Sequence, residues 1–438
     1  MKEFEKIIGY SAEKKELEQI ADCLRNSDVY KKLGVGAPRG LLLYGEPGVG
    51  KTLMSQCLIN ASGIKAFICR KNKPNGEFVN EIKKVFDTAV KNAPAIVFLD
   101  DMDKFANGDS SHRDAEEYVT VQSCIDETKG KDVFVLATAN SLDCLPRSLL
   151  RAGRFDRRIE VEAPKGTDAL EIISHYLEGK NLDEDVDKSF IARLMEGGSC
   201  ARLESIINEA GLYAGFDRKE KITMSHFMRA YLRDTYGGSY DDDDYDDDDD
   251  FCSMPATQGS RPNEVVYHEA GHAVVSEVLE PGSVTLVSIG DVNKDNKGGF
   301  ASCSNVNGSS NFDYALSRVV TSLGGMAAVE QVFGINRGGA SADLDRAFGI
   351  VAQMVSNDCV SGFGFHSHGY RDSPELTSKI EQAAAAEVEK HYRKAKEILA
   401  KNSVFLDKVA SALAQKKLLT TPDIQKIRSE CSIVEVSI

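Results

Sequence analysis

"GLLLYGEPGVGKT", residues 40–52, is the stretch on which the fold turns. Five residues of strand character run into a glycine-rich turn, and Lys51-Thr52 opens a helix. Gly45, Gly48 and Gly50 leave room for backbone N–H groups to turn inward around phosphates. Lys51 reaches the terminal phosphates, and the Thr52 hydroxyl can ligate Mg²⁺. Glu46, Pro47 and Val49 fill the free positions of G-x-x-x-x-G-K-[ST], so Gly45–Thr52 as a whole is the candidate nucleotide cradle. A strand, such a loop and a helix in that order form the building unit of a parallel α/β sheet.

The flanking sequence continues the pattern. "AIVFLD" (95–100) and "VFVLATAN" (133–140) are apolar runs of strand length, separated by stretches of helical pattern. The alternation predicts a parallel sheet with helices on both faces. Asp100 ends the second strand, where a carboxylate would stand near the Mg²⁺, and Asp101 next to it could polarise the attacking water. Asn140 ends the third strand, and its amide could orient water at the γ-phosphate. In "LLRAGRFDRR" (149–158) arginines stand at 151, 154, 157 and 158. In phosphoryl transfer an arginine stabilises charge on the equatorial oxygens, often from a neighbouring subunit. From about 166 to 236 the pattern turns helical. The expected division is an α/β nucleotide-binding part over 1–165 and a helical subdomain over 166–236.

The chain has 438 residues, a net charge of −15 and 42% hydrophobic residues, which suits a globular protein of several domains. Nine of the negative charges lie in "DDDDYDDDDD" (241–250), inside a stretch of linker composition over 237–262. The acidic balance argues against a nucleic-acid partner, which would need clustered Lys and Arg. No apolar stretch reaches the roughly 20 residues of a membrane span, and the start has no secretory pattern. The ten cysteines are scattered with no C-x-x-C pair, as in a reducing compartment. A soluble, cytoplasmic protein is the expectation.

Beyond the acidic stretch, "VVYHEAGHAVVSEVL" (265–279) sets His268 and His272 one helical turn apart. Both rings can then face one ion, with Glu269 about 100° round the helix, where it can take a proton from water. Zinc needs a third protein ligand and an open position. The long form H-E-x-x-H-x-x-G-x-x-H is excluded by Val275 and by the lack of a third histidine. Asp343, Asp345 and Glu330 are the acidic candidates, and spacing alone does not choose among them. The rest of 263–438 reads as mostly helical. It includes a β-rich stretch from "SVTLVSIG" (283–290) to "GGFASCS" (298–304) and a long helix over 373–402.

Taken in order, "FEKIIGYSAEKKEL", "GEPGVGKT", "APAIVFLDDMD", "LLRAGRFDRR", "LESIINEAGLYA", "YHEAGHAVV", "SLGGMAAVEQVFG" and "GGASADLDRA" resemble the FtsH family of ATP-dependent zinc metalloproteases, from about residue 4 to 430. The resemblance implies an AAA+ ATPase module of α/β P-loop fold with its helical subdomain, followed by a mostly α-helical zinc metalloprotease domain. It implies ATP, Mg²⁺ and Zn²⁺ as cofactors, a homohexameric ring, and protein substrates pulled into a protease chamber. By matching positions it makes Asp343 the third zinc ligand, Glu269 the general base, and Arg154 and Arg157 the arginines offered to a neighbour's nucleotide. The segment "GGFASCS" falls where family members pair substrate with an edge strand.

The chain departs from the family in five places, one of them an acidic linker longer and more charged than the family pattern. It lacks the usual transmembrane helices. It has Asp100-Asp101 where the family has Asp-Glu, so slower ATP turnover is expected. Near the pore-loop aromatic it has Pro74, with Phe78 a few residues on. The short Asp-Gly-Phe element before the third strand is missing. Two other readings follow from these residues: a remodelling chaperone without proteolysis, and a zinc peptidase weakly coupled to its ATPase.

Overall fold

The computed structural model describes residues 2–437 except 37, 73–74, 107–114, 152, 237–261, 290, 294–295, 298, 305–311, 335–340 and 358–373. The acidic run and Pro74 lie outside the described residues. The chain forms two compact units, Met1–Thr223 and Met224–Ile438.

The first unit alternates helix and strand: α1 (Ser11–Arg25), α2 (Ser27–Lys32), β1 (Gly40–Tyr44), α3 (Lys51–Ser62), β2 (Lys65–Arg70), α4 (Asn75–Lys91), β3 (Ala95–Asp100), α5 (Glu116–Glu127), β4 (Val133–Ala139), β5 (Arg157–Glu160), α6 (Gly166–Leu177), α7 (Lys188–Leu194) and α8 (Cys200–Phe216). The five strands form one sheet in the order β2-β3-β4-β1-β5, with every pair parallel. The three expected strands are its centre. Every residue of β3 is buried, and β4 is buried from its second residue on, so they read as continuous apolar runs. Of the two outer strands, "RRIE" has one apolar residue and "KAFICR" is a short run between charges with a single buried residue, so neither stands out in the sequence. Each gains its ladder bonds from a neighbour that the sequence already marks.

Phe78 on α4 is fully buried and meets Phe105 edge to face at a centroid distance of 4.8 Å. It belongs to the core under the sheet and is not available at the surface to grip a substrate chain. Replacing it with alanine should cost roughly 3–5 kcal/mol, read as an earlier urea-unfolding transition of the full chain.

The second unit contains α9 (Met224–Tyr236), α10 (Pro262–Leu279), β6 (Val284–Ser288), β7 (Asp291–Asn293), β8 (Asn296–Lys297), β9 (Phe300–Cys303), α11 (Phe312–Ser322), α12 (Gly324–Phe333), α13 (Ser341–Asn357), α14 (Pro374–Lys401), α15 (Ser403–Lys416), β10 (Leu418–Thr420) and α16 (Thr421–Ser429). Its core surrounds α10, whose Ala270, Ala273, Val274 and Val275 are fully buried. A helix apolar on all sides must lie at the centre of its domain. A small antiparallel sheet in the order β10-β6-β9 leaves β9 at an edge. No helix among the described residues is long and apolar enough to cross a membrane.

Candidate nucleotide and metal sites

The glycine-rich loop joins β1 to α3 at the carboxyl end of the sheet. Gly45 has φ 147°, and a Cβ there would fall 2.0 Å from the Val161 carbonyl oxygen, so no other residue fits. Gly50, at φ 99°, precedes the first turn of α3 and turns its N–H groups toward the loop. The Lys51 ammonium donates to the carbonyls of Gly45 and Glu46 at 2.7 Å each and to Asn140 Oδ1 at 3.0 Å. Burial pulls its pKa down, against the nearby Asp103, Asp101 and Asp100 carboxylates.

Asp100, 1% exposed, accepts from Thr52 Oγ1 at 3.3 Å and from Thr138 Oγ1 at 2.8 Å. Asp101 turns back at φ 54°, donates its N–H to Thr138, and pairs with Lys104 at 2.8 Å. The Asn140 amide is engaged at both ends, since its Nδ2 donates to Asp103 Oδ2 at 2.8 Å. Asp103 and Thr138 thus support the site without having stood out in the sequence. Thr138 is brought there by the pairing of β3 with β4, and Asp103 by the short helical turn that follows β3.

A cavity of about 430 Å³ follows the loop, lined by Gly48, Lys51, Thr52, Asp101 and Asn140, and on its far side by Tyr176 and the start of α8. The Ala201 N–H donates to the Gly48 carbonyl at 3.0 Å and pins α8 to the loop.

Of the two arginines assigned to a neighbour's nucleotide, Arg157 is exposed on β5. Arg154 is held within its own chain: its Nε and Nη2 donate to Asp126 at 3.0 and 2.8 Å, and a further nitrogen donates to the Ser148 carbonyl. Its side chain is 16% exposed beside a second cavity lined by Arg39, Lys129 and Arg151.

In the second unit α10 presents His268 and His272 on one face, with Nε2 atoms 3.1 Å apart. Asp343, in the first turn of α13, places Oδ2 3.1 Å from His268 Nε2 and 3.3 Å from His272 Nε2. These donor atoms all lie within 4.8 Å of one another, and no other such group of three occurs among the described residues. Burial raises the Asp343 pKa, but hydrogen bonds with the two imidazoles outweigh it and hold the carboxyl below its ordinary range.

The other two acidic candidates point elsewhere. Glu330 is engaged by the Tyr392 hydroxyl and by Lys396, and Asp345 is exposed. His272 Nδ1 lies 2.7 Å from the Thr321 carbonyl, a contact that fixes the ring and leaves Nε2 for an ion. Two imidazoles and one carboxylate oxygen are a donor set that suits zinc with one position open.

Glu269, 5% exposed, has its pKa pushed up to about 8 by burial, with His268 acting in the opposite direction. The backbone of Gly299, just before β9, lies against its side chain: a Cβ there would fall 2.4 Å from Glu269 Cγ. Gly325 faces the two imidazoles, since its missing Cβ would lie 2.5 Å from His272 Nε2 and 2.7 Å from His268 Nε2. The residue before it, Gly324, meets Gly271 backbone to backbone; a Cβ at 271 would fall 2.5 Å from the Gly324 carbonyl oxygen. Neither glycine carries a signal in a single sequence.

Two family patterns match the chain: "ATPase family associated with various cellular activities (AAA)" over residues 41–163, and "Peptidase family M41" over residues 256–427. Among similar proteins, "ATP-dependent zinc metalloprotease FtsH 2" of Symbiobacterium thermophilum is 30% identical across 97% of the chain and 74% of its own length. "ATP-dependent zinc metalloprotease FtsH" of Caldicellulosiruptor bescii is 31% identical, covering 97% and 71%. The protein of that name from Ureaplasma parvum serovar 3 is 30% identical, covering 97% of the chain, which spans 60% of the relative's length.

Proposed function

The chain belongs to the FtsH family of ATP-dependent zinc metalloproteases, and we propose that it hydrolyses peptide bonds in protein substrates that its ATPase unit unfolds and delivers as part of a homohexameric ring. The observation that carries this reading is the convergence of His268, His272 and Asp343 beside Glu269. In this reading those three residues hold the metal, whose chemistry when bound is Lewis acidity toward the scissile carbonyl and the attacking water.

With a divalent cation beside it, the Glu269 carboxylate is favoured over its acid form. It takes the proton of the attacking water and returns it to the leaving amine. The β9 edge offers backbone groups with which an extended substrate can pair. At the other site the loop amides and Lys51 hold the phosphates, Thr52 and Asp100 hold Mg²⁺, and Asp101 and Asn140 position the water. Arg157 is the arginine free to reach a neighbour, and Arg154 reaches one only on leaving Asp126. The eight described cysteines are all unpaired, which supports a reducing, cytoplasmic setting.

Casein degradation with ATP, ADP or no nucleotide tests the reading. The wild type is expected to need ATP, and Lys51→Ala to lose both ATP turnover and degradation. A second reading, a zinc peptidase weakly coupled to its ATPase, is favoured by the Asp101–Lys104 pair and by the burial of Phe78. Degradation indifferent to nucleotide would select it. ATP turnover without proteolysis in any condition would leave a remodelling chaperone.

A further inference from the structure

Asp100 is a buried carboxylate whose two oxygens face different partners. Oδ1 takes the hydroxyls of Thr52 and Thr138, and Oδ2 takes the guanidinium of Arg70, with Nε at 3.0 Å and Nη2 in short contact. Arg70 is the last residue of β2 and stands directly opposite Asp100 in the parallel β2–β3 register. Register partners send their side chains to the same face of a sheet. Of the other cations of the site, Lys51 directs its hydrogen bonds to two loop carbonyls and Asn140, and Lys104 pairs with Asp101. Among the described residues, Arg70 is therefore the cation that reaches Asp100. The roles given above to the nucleotide-binding residues leave it unused.

We propose that Arg70 is a displaceable counter-ion of the magnesium carboxylate, a positioning residue that holds Asp100 turned toward Thr52 and that competes with the incoming cation for Oδ2. This rests on the nucleotide-site reading above. A buried carboxylate with no cation is strongly disfavoured, and a guanidinium donating through two nitrogens matches it well. A guanidinium and a Mg²⁺ bound to one carboxylate would repel each other. The Arg70 side chain is 62% exposed, so water can receive it when it lets go. Occupancy of the magnesium position and release of Arg70 are then linked, and each weakens with the other's strength.

The test is a Mg²⁺ titration of mant-ADP binding, followed by fluorescence, on the full chain as wild type, Arg70→Ser and Arg70→Lys. Arg70→Ser should reach half-maximal binding at about tenfold lower Mg²⁺, a typical coupling between two sites, while Arg70→Lys stays near wild type. In EDTA, Arg70→Ser should melt earlier than wild type, and saturating Mg²⁺ with ADP should close the gap. A half-point that is unchanged or raised in Arg70→Ser overturns the proposal. Lys51→Ala serves as the control: if it binds mant-ADP like the wild type, or if the wild type binds none, the nucleotide-site reading itself falls and this one with it.

Discussion

Glu269→Gln is expected to slow peptide hydrolysis by about two to four orders of magnitude with zinc content and ATP turnover unchanged. The substitution keeps the shape of a side chain that is 5% exposed and lies against the Gly299 backbone, so packing is preserved. It removes the one property that matters for the reaction, an oxygen able to accept and return a proton. The acid form of Glu269 is already favoured by burial, which pushes its pKa up to about 8. A neutral amide therefore fits this environment, and folding should not suffer. Initial rates on a quenched fluorescent peptide, with zinc measured by mass spectrometry on the same sample, decide the matter. A variant that keeps more than a tenth of the wild-type rate would show that another group moves the proton.

Gly325→Ala should empty the metal position in a chain that otherwise folds. The added methyl would lie 2.5 Å from His272 Nε2 and 2.7 Å from His268 Nε2, far inside contact distance. Small side-chain collisions are often relieved by a shift of the helix that carries them. Here α12 cannot back away cheaply, because Gly271 and Gly324 already join it to α10 at the closest approach two backbones allow. The rings must turn away instead, and their nitrogens no longer converge with Asp343. Zinc content should fall from about one ion per chain to near zero. Circular dichroism and mant-ADP binding should stay at wild-type values. Wild-type zinc content in this variant would mean that the ligand arrangement described above is not the one that holds the ion.

The two units were legible in the sequence to different depths. The phosphate loop could be read because its chemistry fixes Gly45, Gly50, Lys51 and Thr52 at a set local spacing. The HEAGH helix could be read because both imidazoles come from adjacent turns. Asp343 lies 75 residues from His268, and no spacing rule spans that distance. Only the family resemblance pointed to it, and the structure then set it apart from Asp345 and Glu330. Arg70 and Thr138 owe their places to strand register, and Asp103 to the turn after β3, neither of which a single sequence displays. The paired state of Arg154 depends on Asp126 one helix earlier, where the sequence offers only one more surface carboxylate. The outer strands β2 and β5 were passed over because most of their side chains do not face a core.

The glycine-to-glycine crossing of α10 and α12 leaves no cushion between the helices that carry and flank the metal ligands. A joint of that kind behaves as a weld. It fixes the two imidazoles of α10 against the backbone of α12, while Asp343 joins them from α13. Side chains at that joint have no room to grow, whereas the β9 edge can vary without touching it.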